Sequence, residues 1–555
     1  MDATTEGIFG IIVAGSEAND VSYGLPACNI FDQIRARFPS MKLQSLSDMA
    51  TLPVQHFVHF IRQAKELGLA QFARKVVSMP SQLDKQDSSG YNALCWAIRE
   101  GDETAVASLL EVGVNPDGIG ARFEMRPLAL AVQKGHVAMV KLILASGADP
   151  NPLSGDYRTP LLAFAAEPGH RELTRILIAR GSKVNTRNGV SGRSPLAVAA
   201  QYGDEEVIRI LISSGATVDA KDIRGRTPLM DAVISHKEKA TRVLLQNGAN
   251  VNCIDNDGRT PLFFAAGQGH RELTRLLIAR NSDVDICDTM GRSPLAVAAQ
   301  YGDEGVIRIL ISSGAPVNAK DLSGRTPLMD AVISHKEKAT RVLLQNGANF
   351  NCIDNDGRTP LFFAAKIDDP TFARLLLEWG ATQVGRPQNG DTPLIIAAMN
   401  GHDQVVEALL EQQEYPDVSN NEGDTPLMIA VTQGHNSTVE ILLRHGANIY
   451  MVNKSGDTPW TLARKDKHMT HFLLEYHSSS QNYKGKSRPL TDHLEPRSDI
   501  SPTNQPSEIP NLSESDLSES AQEKKQKEKK RFEESMRNMD EFMAEPDTES
   551  HRERQ

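Results

Sequence analysis

Apolar residues along most of this chain recur in short helical blocks separated by polar turns that contain glycine. A block such as Ser194-Pro195-Leu196, followed by Val198 and Ala199, opens with a hydroxyl side chain able to cap a helix. The proline stands at the first helical position, where a missing N–H does no harm. A Gly-His or Gly-Asp pair then breaks the chain, at Gly135-His136, Gly169-His170, Gly203-Asp204, Gly269-His270, Gly302-Asp303, Gly401-His402 and Gly434-His435. The next block carries apolar residues at i, i+3 and i+4, as in Val207, Ile210 and Leu211, which predicts a second helix. It stops at Gly215, a position that needs positive φ. Gly147, Gly181, Gly248, Gly314, Gly347, Gly380 and Gly446 repeat the stop, and Asn281 takes it in one unit. A polar Asp-x-x-Gly turn leads to the next Thr-Pro.

The helix-opening signature recurs at Thr159, Ser194, Thr227, Thr260, Ser293, Thr326, Thr359, Thr392 and Thr425, each followed by Pro-Leu. Asn92-Ala93-Leu94, Arg126-Pro127-Leu128 and Thr458-Pro459-Trp460 are degenerate versions. From Ala93 to Pro459 the steps are 34, 33, 35 and then eight of 33, which makes twelve units. Self-similarity at this period signals a repeat architecture, in which no helix pair buries its apolar face alone and neighbours share a core.

The Thr-Pro-Leu, Ala-Ala, Gly-His and Gly-Ala-x-Val-Asn elements resemble the ankyrin repeat over about residues 87 to 475. The resemblance implies an all-α fold: an ankyrin-repeat solenoid of stacked helix-turn-helix units with β-turn or hairpin loops. It divides the chain into an N-terminal helical cap region (1–86), an array of about twelve repeats (87–477) and a disordered tail (478–555). One departure is systematic. The family often has His after Thr-Pro-Leu, whereas Met230, Phe263, Ala296 and Ile395 stand there, so apolar packing is expected to replace a Thr–His bond. The resemblance also implies that partners bind the turn tips and the inner-helix side. The matching tip positions include Ile223, Arg224, Arg226, Asn256, Asp257, Arg259, Leu322, Ser323, Arg325, Asn355, Asp356 and Arg358. On the inner side they are Gln201, Tyr202, Gln300, Tyr301, Ser235, His236, Ser334 and His335.

A longer period overlies the first. Residues 191–266 and 290–365 align without gaps at an offset of 99, with 69 of 76 positions identical. The seven differences are Ser191/Met290, Glu206/Gly305, Thr217/Pro316, Asp219/Asn318, Ile223/Leu322, Arg224/Ser323 and Val251/Phe350. Two readings stand: an array lengthened by duplication, or two copies of one binding surface.

The flanks carry weaker signals. Helices are expected at about 53–66 and 69–77, as a capping repeat; Leu52-Pro53 with Phe57, Phe60 and Ile61 is loosely similar to an F-box. In the tail, Ser501-Pro502 and Ser513, Ser515, Ser518 and Ser520 could accept phosphate. Lys524 to Arg531 is a basic run that reads as a solvated helix face or a nuclear localisation signal. Phe532, Met536, Met539 and Met543 would form one apolar stripe on a helix at 520–544, open to a partner groove or self-association.

Composition narrows the function. Aromatic residues are only 5% of the chain, as thin helical layers packed with Ala, Leu, Ile and Val require. A net charge of -11 gives no global attraction to nucleic acid. No run approaches a membrane span, and Ile8–Ala14, preceded by Asp2 and Glu6 without a basic residue, does not read as a signal peptide. Five cysteines (Cys28, Cys95, Cys253, Cys287 and Cys352) without a CxxC pair suit plain thiols in a reducing compartment. No phosphate-binding loop, nucleophile elbow or HExxH motif is present, so no catalytic, cofactor or metal residue is assigned and no cofactor or small-molecule substrate is expected.

The residue before Thr/Ser-Pro is Arg in seven successive units: Arg158, Arg193, Arg226, Arg259, Arg292, Arg325 and Arg358, followed by Asp391, Asp424 and Asp457. It either pairs with the turn aspartates Asp222, Asp255, Asp288, Asp321 and Asp354 or forms a charged row for a complementary partner. The candidate partner-binding residues are therefore Arg193, Tyr202, Arg224, Arg226, Arg259, Arg292, Tyr301, Arg325 and Arg358. The expected function is a non-enzymatic, cytoplasmic scaffold or adaptor for other proteins. The alternatives are a ubiquitin-ligase substrate receptor and a nuclear regulator.

Overall fold

The computed structural model describes Val54, Val58 and residues 91–119, 126–154, 159–167, 170–382, 387–412, 415–464 and 466–483, with the backbone alone at 154 and 477–483. The chain divides into two units between Val317 and Asn318.

In the first unit the described helices are α1 (Ala93–Glu100), α2 (Glu103–Glu111), α3 (Pro127–Gln133), α4 (Val137–Ala145), α5 (Leu161–Ala166), α6 (Arg171–Ala179), α7 (Pro195–Tyr202), α8 (Glu205–Ser213), α9 (Pro228–Ile234), α10 (Glu238–Gln246), α11 (Pro261–Gly267), α12 (Arg271–Ile278), α13 (Pro294–Tyr301) and α14 (Glu304–Ser312). The second unit holds α15 (Pro327–Ile333), α16 (Glu337–Gln345), α17 (Pro360–Lys366), α18 (Pro370–Glu378), α19 (Pro393–Asn400), α20 (Asp403–Glu411), α21 (Pro426–Gln433), α22 (Asn436–Arg444), α23 (Pro459–Ala463) and α24 (Lys467–Tyr483). In each unit the first helices of successive pairs pack on one another, as α7 on α9 and α17 on α19. The second helices form a parallel layer, as α6 on α8 and α18 on α20. The core lies between the layers, where Leu196, Leu229, Leu262, Val207, Leu244 and Leu277 are all buried.

Local chemistry builds each pair. Ser194, Thr227, Thr260, Ser293, Thr359, Thr392 and Thr425 each accept an N–H bond from the third residue of the helix that follows. Thr326 makes no such bond, and its buried hydroxyl has no partner. Thr159 departs further. It pairs with Ser154 in a two-residue antiparallel bridge, so Pro160 rather than Thr159 caps α5. Met230, Phe263, Ala296 and Ile395, which replace the family histidine, are buried. Val54 and Val58 are helical and buried in the core that holds Leu94 and Ile98. The rest of the N-terminal helical pair, the F-box-like residues, the basic run and the Phe532, Met536, Met539 and Met543 stripe lie outside the described residues. Helix α24 runs to Tyr483, beyond the expected array end at 477.

The Asn of the Gly-Ala-x-Val-Asn element ties each repeat to the next. Asn185 donates from Nδ2 to the Gly215 carbonyl (3.0 Å) and accepts from the Thr217 amide (2.8 Å). Asn318 does the same with Gly347 and Asn349 in the second unit. Its counterpart in the duplicated segment, Asp219, accepts from the Asn250 amide but has no hydrogen to give the Gly248 carbonyl. Asp219→Asn is therefore expected to raise stability by about 0.5–1 kcal/mol in urea unfolding; an unchanged midpoint would show that this rung contributes nothing.

The single helical difference between the copies also has a physical consequence. Glu206 on α8 takes Arg175 (2.5 Å). At Gly305 on α14 no side chain projects, and Arg271 occupies the space a Cβ would need while pairing with Asp303 (3.0 Å). The equivalent pair, Arg171 with Asp204 (3.2 Å), stands in the copy that keeps Glu206, so this ion pair is common to both and does not offset the cost of glycine in the helix.

Candidate partner-binding face

The turn tips are held by an aspartate or an asparagine of their own, as at Asp222, Asn188, Asn420 and Asn453, and by their neighbours. Asp222 accepts from the amides of Arg224 and Arg226 (both 2.8 Å), closing an Asx turn around Gly225 at φ 75°. Glycine is required twice over here, because a Cβ would also lie 2.7 Å from the Asn256 amide. Between repeats, backbone amides donate to carbonyls in a ladder: Ile223 to Ser191 (3.1 Å), Asn256 to Arg224 (2.9 Å) and Thr289 to Asp257 (2.8 Å). In the second unit Asn355 donates to Ser323 (3.0 Å) and Lys454 to Glu422 (2.9 Å). Asn256 adds a side-chain bond to the Ile223 carbonyl (2.9 Å), and Asn355 one to Leu322 (2.8 Å). A tip fixed in this way presents its outward side chain with little conformational freedom left to lose.

The outward side chains include large apolar ones. Ile223 is 64% exposed and Leu322, its counterpart in the duplicate, 67%. Ile254 and Ile353 are exposed next to them, where Lys221 and Lys320 donate to their carbonyls (2.9 and 2.7 Å). The isoleucines at 254 and 353 are absent from the residues chosen on sequence grounds. The signal was there: both stand six residues before Thr-Pro, at a turn position that is otherwise mostly polar.

The arginines before Thr/Ser-Pro point inward. Arg259, Arg292 and Arg358 pair with Asp255, Asp288 and Asp354 at 2.8, 2.7 and 2.8 Å, and those carboxylates are almost wholly buried. Arg193 instead reaches Asp231 of the next repeat (3.0 Å) and Gln201 (2.7 Å). Burial nonetheless holds the Asp231 carboxyl above its usual range, with Arg193 pulling the other way. Arg226 and Arg325 lie over the rings of Phe264 and Phe363 (5.6 and 5.8 Å), each with a buried, unpartnered Nε. Arg158 lies outside the described residues. Asp391 and Asp424 are likewise engaged, accepting from Asn420 and Asn453. Arg224, by contrast, is exposed at the tip beside Ile223 and forms no ion pair among the described residues.

On the inner side, Tyr202 donates its hydroxyl to Glu167 (2.5 Å), and that bond together with burial pushes the phenol up to about 12. Tyr301 is 64% exposed. The recurring histidines stand at the N-caps of the second helices and reach back across a repeat: His402 meets the Ala365 carbonyl and His435 the Met399 carbonyl, both at 3.1 Å. The ring covers the preceding turn glycine; a Cβ at Gly135 would sit 2.7 Å from His170. His236 and His335 occupy that glycine position themselves, at φ 56° and 57°. Among the described residues no three His, Cys, Asp or Glu side chains gather as a metal site. Burial pushes the Cys253 thiol up to about 11, away from reactive thiolate.

The family model for ankyrin repeats, which spans three copies of the unit, matches seven overlapping stretches: 61–154, 128–222, 161–255, 229–321, 268–354, 314–387 and 368–453. The chain belongs to the ankyrin repeat family. None of the curated proteins compared with it matches. Ankyrin repeats are generally protein–protein interaction modules and typically non-enzymatic scaffolds. No helix among the described residues is long and apolar enough to cross a membrane.

Proposed function

We propose that this ankyrin repeat chain is an adaptor that binds other proteins through its turn tips and the exposed ends of its first helices. The exposure of Ile223 and Leu322 on tips locked by inter-repeat hydrogen bonds carries the reading. An isoleucine moved from water into a partner's pocket contributes on the order of 2 kcal/mol, and a rigid tip keeps most of it. Arg224 beside Ile223 adds a cation at the rim, where charge acts mainly on association rate. The paired arginines behind the tips hold the turns in shape, which leaves specificity to the outward residues.

Proximity labelling with the intact chain, compared with an Ile223→Asp, Leu322→Asp double variant, tests this. The variant should lose at least five-fold of the labelling of the main partners while its melting temperature stays within a degree or two of the parent. An identical set of partners at equal intensity would reject the tips as the binding surface.

A further inference from the structure

Helix α4 has no polar face. Eight of its nine residues are apolar, and Lys141 is the exception. Met139, Val140, Ile143 and Leu144 are buried, whereas Ala138 and Ala145 are exposed and Leu142 is half-buried. A helix apolar all round calls for cover on its outer side too. Other second helices do not share the feature. Ala138 stands where α6, α8, α10, α12 and α16 carry Glu172, Glu206, Lys239, Glu272 and Lys338. Ala145 stands where α18, α20 and α22 carry Glu378, Glu411 and Arg444.

Because α4 packs between α2 and α6, these small residues leave an open groove of about 600 Å³ on the outer layer. Its wall includes Ala138, Leu142, Ala145, Ile176 and Ala179. Lys141 lines it as well and is tied to Glu172 (2.9 Å). Glu103 borders the groove at the start of α2, and Arg180 at the end of α6. Past Arg180 the turn carries Lys183 and Arg187; all three cations are exposed and form no ion pair among the described residues. The exposed carboxylates nearby, besides Glu172, are Asp149 on the corresponding turn one repeat back and Glu103 and Glu111 on α2. The α6 end of the groove is therefore basic and the α2 end acidic.

We propose that the apolar run Ile8–Ala14 of this same chain lies in the groove, crossing from α6 over α4 towards α2. Seven extended residues span about 23 Å, and three neighbouring helix axes span about 20 Å. The tether is long enough. Residues 15–53 separate the run from Val54, which is buried in the core with Leu94 and Ile98 of α1. A flexible chain of 39 residues has a mean span of about 35 Å. Charge sets the direction. Residues 1–20 carry Asp2, Glu6, Glu17 and Asp20 and no Lys or Arg. Asp2 and Glu6, which precede the run, meet Arg180, Lys183 and Arg187, and the chain then leads back towards α1 with Glu17 and Asp20 on the tether. The apolar stripe of Phe532, Met536, Met539 and Met543 is a poorer occupant, because the basic run Lys524–Arg531 directly before it would face the same three cations.

The test replaces Phe9 by the photo-crosslinker p-benzoylphenylalanine in the full chain and locates the products by mass spectrometry. Mixing isotope-labelled and unlabelled chains separates crosslinks within a chain from those between chains. The main product should join position 9 to residues 138–145 or 176–180 of the same chain. Ala138→Arg and, separately, Ala145→Arg put a long charged side chain into the groove at exposed helix positions, so melting should stay near the parental value while the yield falls at least five-fold. Arg180→Glu should lower the yield at least two-fold, and Gln404→Arg, at the Ala138 position of α20, should leave it unchanged. Crosslinks mainly to other parts of the chain or mainly between chains, or a yield undiminished in both folded alanine variants, would overturn the proposal. The groove is separate from the turn tips, so none of these results bears on the adaptor reading.

Discussion

Arg259→Glu is expected to lower the unfolding free energy by about 3 kcal/mol, the low end of what breaking a buried ion pair costs. The Asp255 carboxylate is fully buried, and it accepts from the Arg259 amide (2.9 Å), Nε (3.0 Å) and Nη2 (2.8 Å). Arg259 also pairs with Asp257 and lies over the Phe264 ring at 5.1 Å. A glutamate there would leave Asp255 without its cation and set two like charges side by side. The arginine is about a quarter exposed, so solvent takes up part of the loss. Arg259→Gln, which removes the charge without repulsion, should lose roughly half as much. Urea unfolding followed by circular dichroism checks both. A loss under 0.5 kcal/mol for the glutamate variant would mean that the turn does not need the pair and that the arginines are free for a partner. The charged-row reading predicts instead that reversal of Arg259, Arg292 and Arg325 slows association at low salt, so on-rate and stability must be measured on the same variants.

Phe372→Ala should be the most damaging of the substitutions considered. Phe372, on α18, is 1% exposed and is the largest fully buried side chain among the described residues. Its deletion leaves a cavity between α18 and its neighbours and removes the edge-on contact with His335. Losses of about 3–5 kcal/mol are typical for such a change. Phe372→Leu, which keeps most of the volume, should cost about 1 kcal/mol. In a repeat array each helix pair depends on its neighbours, so a weak point inside the array can divide one transition into two. A two-step urea curve for Phe372→Ala, against one step for the parent, is the expected signature. A loss below 1 kcal/mol would show that the site collapses and refills.

Much of this architecture is written locally in the chain. Thr or Ser before Pro starts the first helix because both the cap and the missing N–H act within one turn of helix. Glycine at positions such as Gly215 and Gly225 stops or bends the chain because that residue takes positive φ without the steric cost a side chain brings. The seven differences between the duplicated segments could even be placed in advance as six in turns and one in a helix. Such features need only contacts within a few residues.

Other features depend on what the neighbouring repeat brings. The arginine before Thr/Ser-Pro has three fates, and only that of Arg193 follows a visible change in its own turn, where Asn188 stands in place of the aspartate. Arg193 reaches Asp231, which the next repeat places against it. Arg226 finds Phe264 at the corresponding position and lies over its ring. Arg259 and Arg358 meet aliphatic Val297 and Ile396 at that position of the following repeat and turn back to Asp255 and Asp354. The His236–His270 contact joins residues 34 apart, and only stacking shows that one ring sits where other repeats keep glycine. The sequence by itself determined the helix pairs, their caps and their period, because those follow from the backbone preferences of single residues and short spacings. The tertiary structure alone decided which side chains were spent on holding repeats together and which were left facing outward, because that depends on the side chain the adjacent repeat sets opposite.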